Sequence, residues 1–315
     1  MNKKPLVILT GPTAVGKTET SLQLAKAIGG EIISADSMQV YRGMDIGTAK
    51  IKPEEMQGVP HYLVDEFAPD EEFNVMIFQQ RAKGYMKDIY SRGKIPLLVG
   101  GTGFYIQSVL YDIAFTENQE QDGFRQEMET YAREHGVEAL HERLQRVDNE
   151  SAEHIHPNNV KRVIRALEYY HFTGQKFSRH NETERTKESP YQFLYLVLNL
   201  PRQQLYERIN QRVDTMVREG LVEEVKRLLE QGYHKDLVSM QGLGYKELVP
   251  YLEQQYSLEE AVYRIKRDTR HFAKRQMTWF RRERDVRMLD KDTFSSTEDL
   301  VAKIIQLAKE RGIIV

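Results

Sequence analysis

Along the first hundred residues, short unbroken apolar runs alternate with stretches whose apolar positions recur every three to four residues. Leu6–Thr10, Glu31–Ser34, His61–Phe67 and Ile95–Val99 read as strands, and Lys17–Ile28 and Val75–Arg92 as helices, the first with Leu22, Leu24, Ala25 and Ile28 inward. Strands without polar alternation are buried on both faces. The pattern therefore predicts an α/β fold, a parallel sheet flanked by helices. From about Tyr111 to Pro190 the strand signal stops. That region is polar and helical, with candidates at Gly123–Glu134, Val137–Arg146 and Val160–His171, and closes in a charged loop, Arg179–Ser189. The apolar strand Phe193–Leu200 comes next, so 111–190 reads as a helical insertion domain within a core formed by 1–110 and 191–315. Beyond it, Arg202–Gln231 and Ser257–Arg284 read as helices, Val286–Leu289 as a short strand, and the residues after Ser296 as a closing helix.

Between the first strand and first helix lies Gly11-Pro12-Thr13-Ala14-Val15-Gly16-Lys17-Thr18, a phosphate-loop pattern. Its glycines let backbone N–H groups converge on phosphate oxygens at the positive end of the following helix. Lys17 adds a point charge, and Thr18 offers a hydroxyl to Mg2+. The loop specifies a phosphorylated ligand, not ATP and not phosphoryl transfer. The apolar strand Ile95–Val99 ends in Gly100-Gly101-Thr102 with no acid to hold a metal, and Asp65 is the weaker candidate for that role. Small residues at Gly100–Gly103 would let a substrate approach the backbone, with Thr102 as donor or acceptor. Asp36, just past the second strand, should face the same crevice. A lone loop aspartate is more often a turn residue, but Ser37 and Gln39 beside it favour a site.

Composition changes this picture little. The 315 residues are 40 % hydrophobic and 29 % charged, ordinary for a globular protein. The absence of cysteine excludes a disulfide scaffold, thiolate zinc and a cysteine nucleophile. The first apolar run is too short for an export signal, and no apolar stretch reaches the roughly 20 residues a bilayer needs, so a cytoplasmic protein without membrane contact is expected. The net charge of −2 hides an uneven distribution: Arg264–Arg287 holds ten Lys/Arg against three Asp/Glu. Such a stretch fits a face lying on RNA or a salt-bridged surface. Lys161, Arg162 and Arg165 come after a candidate N-cap at Asn158-Asn159, where cations oppose the helix dipole, which suggests a job on RNA phosphates. His61, His154 and His156 lack metal-ligand spacing and read as structural, and Trp279 as a packing anchor.

Several blocks in order resemble the bacterial tRNA dimethylallyltransferases, also called tRNA isopentenyltransferases. They are Gly11–Thr18, Ser34–Tyr41, Met44–Lys50, Pro96–Thr102, Ile155–Asn158, Arg165–Glu168 and Ala273–Trp279, spread over nearly the whole chain. The resemblance implies a phosphate-loop core that binds dimethylallyl pyrophosphate through Gly11–Thr18, with Lys17 and Arg212 on the pyrophosphate and Mg2+ near Thr18. It implies Asp36 as general base at an adenine amine, with Thr102 beside it. It places the tRNA anticodon stem-loop against Asp36, Ser37, Met38, Gln39 and Thr102. Lys161, Arg162, Val163, Ile164 and Arg165, and the turn Gln241, Gly242, Leu243, Gly244, Tyr245 and Lys246, are further tRNA positions. Without cysteines the chain lacks the zinc module of eukaryotic relatives, and a monomer is expected. Tyr41, Phe104 and Tyr105 are candidate neighbours of a splayed adenine. A nucleotide or metabolite kinase, an enzyme prenylating free AMP, and a non-catalytic RNA-binding protein are the competing readings.

Overall fold

The computed structural model describes residues 3–115 and 123–314. Six strands form one sheet: β1 (Lys4–Thr10), β2 (Gly30–Ser34), β3 (His61–Tyr62), β4 (Ile95–Gly100), β5 (Tyr191–Asn199) and β6 (Val286–Asp290), in the order β3-β2-β4-β1-β5-β6. Every pairing is parallel, as the apolar strands predict. Leu6, Val7, Ile8 and Leu9 of β1 are wholly buried. Each such side chain contributes about 1.5–3 kcal/mol, which keeps β1 central and fixes the loop at its carboxyl end in the middle of the sheet. Helix α1 (Lys17–Ile28) ends at Gly29, whose left-handed backbone lets its N–H reach Ala25. Helix α2 (Val75–Ser91) starts where Asn74 accepts from Met76 and Ile77. A helix that the apolar pattern does not predict, α3 (Gly103–Leu110), comes directly after β4.

The chain divides into two compact units, Met1–Leu110 with Pro190–Val315, and Tyr111–Ser189. The second holds α4 (Phe124–His135), α5 (Val137–Val147), α6 (Asn149–His154), α7 (Val160–Thr173) and α8 (Phe177–Thr186). Met128, Leu140, Leu144, Ile155, Val163 and Ile164 are central to its own core. The expected charged loop Arg179–Ser189 is mostly helix α8. Phe177 and His180 pack on Tyr169, and buried Asp148 accepts from the backbone N–H and hydroxyl of Ser178 at 2.8 and 2.7 Å. Phe177, Ser178 and His180 cluster at its start and give no periodic signal.

In the first unit, Arg202–Gln231 is two helices, α9 (Arg202–Arg218) and α10 (Leu221–Glu230), broken at Gly220, where φ is +102°. Then come α11 (Tyr245–Leu252), α12 (Leu258–Phe280) and α13 (Thr297–Glu310), the last capped by Ser296. The third strand is two residues rather than seven. Leu63 and Asp65 are both left-handed, which ends extended pairing despite the apolar run. Among the described residues no helix is long and apolar enough to cross a membrane.

Candidate active site

The phosphate loop leaves the carboxyl end of β1, and the chain's own packing sets its shape. A methyl group on Gly11 would lie 2.5 Å from the Leu198 carbonyl of β5, and Gly16 has φ +94°. Neither position accepts another residue without strain. Among the described residues, the N–H groups of Gly16, Lys17 and Thr18 have no acceptor, as expected of an anion cradle at a helix start. The N–H of Thr13 is already spent. It donates to Gln276 Oε1 at 2.9 Å, while Gln276 Nε2 donates to the Gly101 carbonyl at 3.0 Å. Buried Gln276 of α12 thus ties the phosphate loop to the β4–α3 turn, a role the sequence did not reveal.

Lys17 Nζ donates to the carbonyls of Gly11 and Pro12, each at 3.0 Å. Burial, reinforced by the Arg212 guanidinium, lowers its pKa to about 8, while the Asp36 carboxylate pulls it up. Arg212 on α9 is held below the ordinary guanidinium range, first by burial and then by repulsion from Arg208. The structure therefore brings Lys17, Arg212 and Asp36 into one electrostatic neighbourhood. Thr18 is exposed, its hydroxyl has no partner among the described residues, and it borders a cavity of about 40 Å³ with Ser34, Gln39 and His61, space for water.

Asp36 stands where β2 and β4 part. Ala35 N–H donates to Val99 at 2.8 Å and Thr102 N–H to the Ala35 carbonyl at 3.1 Å, so Asp36 and Thr102 sit on laced strand ends. Asp36 Oδ1 accepts from the N–H groups of Met38 and Gln39 at 2.8 and 3.3 Å, an aspartate turn, while Oδ2 has no partner among the described residues. One carboxylate oxygen shapes the loop and the other is available for chemistry. Gln39 turns inward, bonded to Ser34 Oγ and to the carbonyls of Thr48 and Ala49. Its amide braces the loop and is not free for a ligand.

Gly100, Gly101 and Gly103 make room for the protein itself. A methyl group on Gly100 would meet the Ala35 carbonyl at 2.1 Å, on Gly101 the Gln276 amide at 2.2 Å, and on Gly103 Trp279 Nε1 at 2.2 Å. Packing thus accounts for these glycines, where the sequence suggested room for a substrate. Asp65 is committed as well: the Lys50 ammonium pairs with Asp45 at 2.7 Å and with Asp65 at 2.5 Å. Buried Glu224 gathers the Met44–Lys50 block, accepting from the N–H groups of Asp45, Ile46 and Gly47 and from the Tyr245 hydroxyl at 2.6 Å. No group of three or more metal-binding side chains occurs among the described residues. His61, His154 and His156 bond nearby backbone, as their spacing predicted.

The residues expected to meet RNA separate into exposed and buried ones. Lys161 and Arg162 are exposed in the first turn of α7, where Asn159 occupies the N-cap without a side-chain bond. Val163 and Ile164 point into the core of their unit, and Arg165 is part-buried near Glu168 at 3.9 Å. Gln241 and Lys246 are exposed, whereas Gly242, Gly244 and Tyr245 are buried. On α12 the first turns are salt-bridged: Arg264 to Glu260, Lys266 to Asp214 and Arg267 to Asp268. Further along, Lys274, Arg275, Arg281 and Arg282 are exposed, with no acidic partner among the described residues. Trp279 meets Phe104 edge-on at 6.3 Å, the two forming an exposed aromatic pair, while Tyr41 and Tyr105 are buried.

A family model described as IPP transferase matches residues 39–283, and one described as Isopentenyl transferase matches residues 4–71. The chain is 60 % identical to a tRNA dimethylallyltransferase of Lachnoclostridium phytofermentans, across 99 % of both chains. It is 49 % identical to the Clostridioides difficile tRNA dimethylallyltransferase over 98 % of this chain and 99 % of that one. Among solved structures, the tRNA delta(2)-isopentenylpyrophosphate transferase of Staphylococcus epidermidis is 45 % identical with a TM-score of 0.73, covering 98 % of this chain and 100 % of its own. A eukaryotic dimethylallyltransferase acting on tRNA is 30 % identical with a TM-score of 0.84, covering 98 % of this chain and 79 % of that one. The chain belongs to the tRNA dimethylallyltransferase family.

Proposed function

We propose that this chain transfers a dimethylallyl group from dimethylallyl pyrophosphate to the N6 amine of the adenosine 3′-adjacent to the anticodon of tRNA, releasing pyrophosphate. The observation that carries this reading is the half-engaged Asp36 carboxylate within the field of Lys17 and Arg212. The allylic C–O bond breaks as negative charge grows on the pyrophosphate. Lys17, Arg212 and the free loop N–H groups stabilise that charge. The amine attacks the allylic carbon, becomes cationic and acidic, and passes its proton to Asp36 Oδ2. In this reading Thr102, whose N–H is laced to the Ala35 carbonyl, supplies a hydroxyl at the adenine amine. Thr18 would hold Mg2+ through its hydroxyl, and the ion would help neutralise the leaving group.

Lys161 and Arg162, and separately Lys274, Arg275, Arg281 and Arg282, supply cations for RNA phosphates. A monomer working in the cytoplasm on tRNA completes this reading. Incubation with labelled dimethylallyl pyrophosphate, tRNA and free AMP is the test, with an ATP arm for phosphoryl transfer. Label should enter tRNA. Label in AMP alone, or phosphorylation by ATP without prenyl transfer, would replace this reading.

A further inference from the structure

The cations of the phosphate site extend past Lys17 and Arg212. Lys291 opens a single tight turn, Lys291–Thr293, directly after β6. Because β6 runs parallel to β5 and β5 to β1, Lys291 emerges at the same edge of the sheet as the phosphate loop. Its ammonium lies against the loop: a methyl group on Gly16 would fall 2.8 Å from Lys291 Nζ. The side chain is only 12 % exposed, and its one ion-pair partner among the described residues, Glu19, is 4.0 Å away and 61 % exposed. No acceptor lies within hydrogen-bond reach of this ammonium among the described residues. Burial lowers the Lys291 pKa, with Glu19 opposing and Arg208 adding to it. Arg208 likewise bears on Arg212, and Arg212 on Lys17.

Lys17, Arg212, Arg208 and Lys291 thus form a run of cations, each repelling the next. Such an arrangement is unfavourable until an anion lies among them. The phosphate held by the loop N–H groups and Lys17 accounts for one end of the run. Lys291, at the Gly16 turn, has no role in that set of interactions. We propose that Lys291, backed by Arg208, is a second cationic contact for the pyrophosphate, selecting a diphosphate leaving group over a monophosphate. The inference rests on the pyrophosphate reading above and adds to it the residues that measure the length of the anion.

The test is calorimetric titration of the full chain with magnesium pyrophosphate and, separately, with inorganic phosphate, for the parent protein, Lys291→Met and Lys291→Arg. Removing one charge-assisted hydrogen bond should weaken pyrophosphate binding about 10-fold in Lys291→Met and raise KM for dimethylallyl pyrophosphate similarly. Phosphate and tRNA affinities should change less than about 2-fold, and Lys291→Arg should recover most of the pyrophosphate affinity, because the charge is kept. A parent protein that prenylates tRNA, beside a natively melting Lys291→Met with unchanged pyrophosphate affinity, overturns this inference alone. A parent protein that binds no pyrophosphate overturns both it and the functional reading. If Lys291→Met does not fold, Arg208→Gln, at an exposed position, decides: it should bind pyrophosphate about 3-fold more weakly, and unchanged binding counts against the proposal.

Discussion

Replacing Asp36 by asparagine separates the two jobs of its carboxylate. Oδ1 accepts from Met38 and Gln39 at 2.8 and 3.3 Å and holds the turn after β2, while Oδ2, without a partner among the described residues, is the oxygen assigned to the amine in the proposed reaction. An asparagine oxygen can take the place of Oδ1, and its NH₂ then stands where Oδ2 was, unable to accept a proton. Asp36→Asn should therefore keep its thermal stability and tRNA affinity and lose about 10²–10⁴ in turnover. Asp36→Ala removes the acceptor from two backbone N–H groups and should cost a further ~1–2 kcal/mol. In a unit of this size that is a fall in Tm of about 2–8 °C. Single-turnover transfer of label from dimethylallyl pyrophosphate to tRNA, with saturating substrates, reads the chemistry. Thermal melts read the turn. If Asp36→Asn turned over within about fivefold of the parent, proton transfer to Asp36 would contribute less than the lower limit for general base catalysis, and the residue would be a turn former only. If instead Asp36→Asn melted as low as Asp36→Ala, the division between the two oxygens would be wrong.

Lys17, with a pKa lowered to about 8, should make kcat/KM for dimethylallyl pyrophosphate fall as pH rises through about 8, because the neutral amine no longer attracts phosphate; Lys17→Arg should abolish that limb. The sign for stability is opposite: between about 8 and the ordinary 10.5 the folded chain sheds this proton before the unfolded one, so the burden of the buried charge lightens with rising pH, measurable by denaturation across that window. Glu224→Gln places an NH₂ group against buried backbone donors and should destabilise by about 3 kcal/mol, lowering Tm by ~6–12 °C; a shift below ~2 °C would remove Glu224 as the anchor of the Met44–Lys50 loop. Replacing Lys161 and Arg162 with alanine should flatten the log–log salt dependence of tRNA binding by roughly 0.7–0.9 for each phosphate no longer neutralised, with circular dichroism unchanged; an equal slope would leave them as a solvated face.

The parallel sheet, the phosphate loop and the place of Asp36 were legible in the sequence, because each rests on local physics. Unbroken apolar runs bounded by turn residues fit strands buried on two faces, and the spacing of Gly11, Gly16, Lys17 and Thr18 encodes a backbone shape within eight residues. The break at Gly220 also had a local signal, in the glycine itself. What the sequence could not decide were contacts between residues far apart in the chain. Gln276 reaches Thr13 across 263 positions, and Glu224 reaches Asp45 across 179. No periodicity records such meetings. The same blindness hid the packing at Gly100, Gly101 and Gly103, whose missing side chains make way for Ala35, Gln276 and Trp279. It also grouped Val163 and Ile164 with Lys161 and Arg162, although one helical turn separates a core face from an exposed one. Local sequence determined which elements form and which chemistry the loop can bind. Tertiary packing decided which polar groups are spent on bracing the site and which, like Asp36 Oδ2 and the Lys291 ammonium, are left without a hydrogen-bond partner among the described residues.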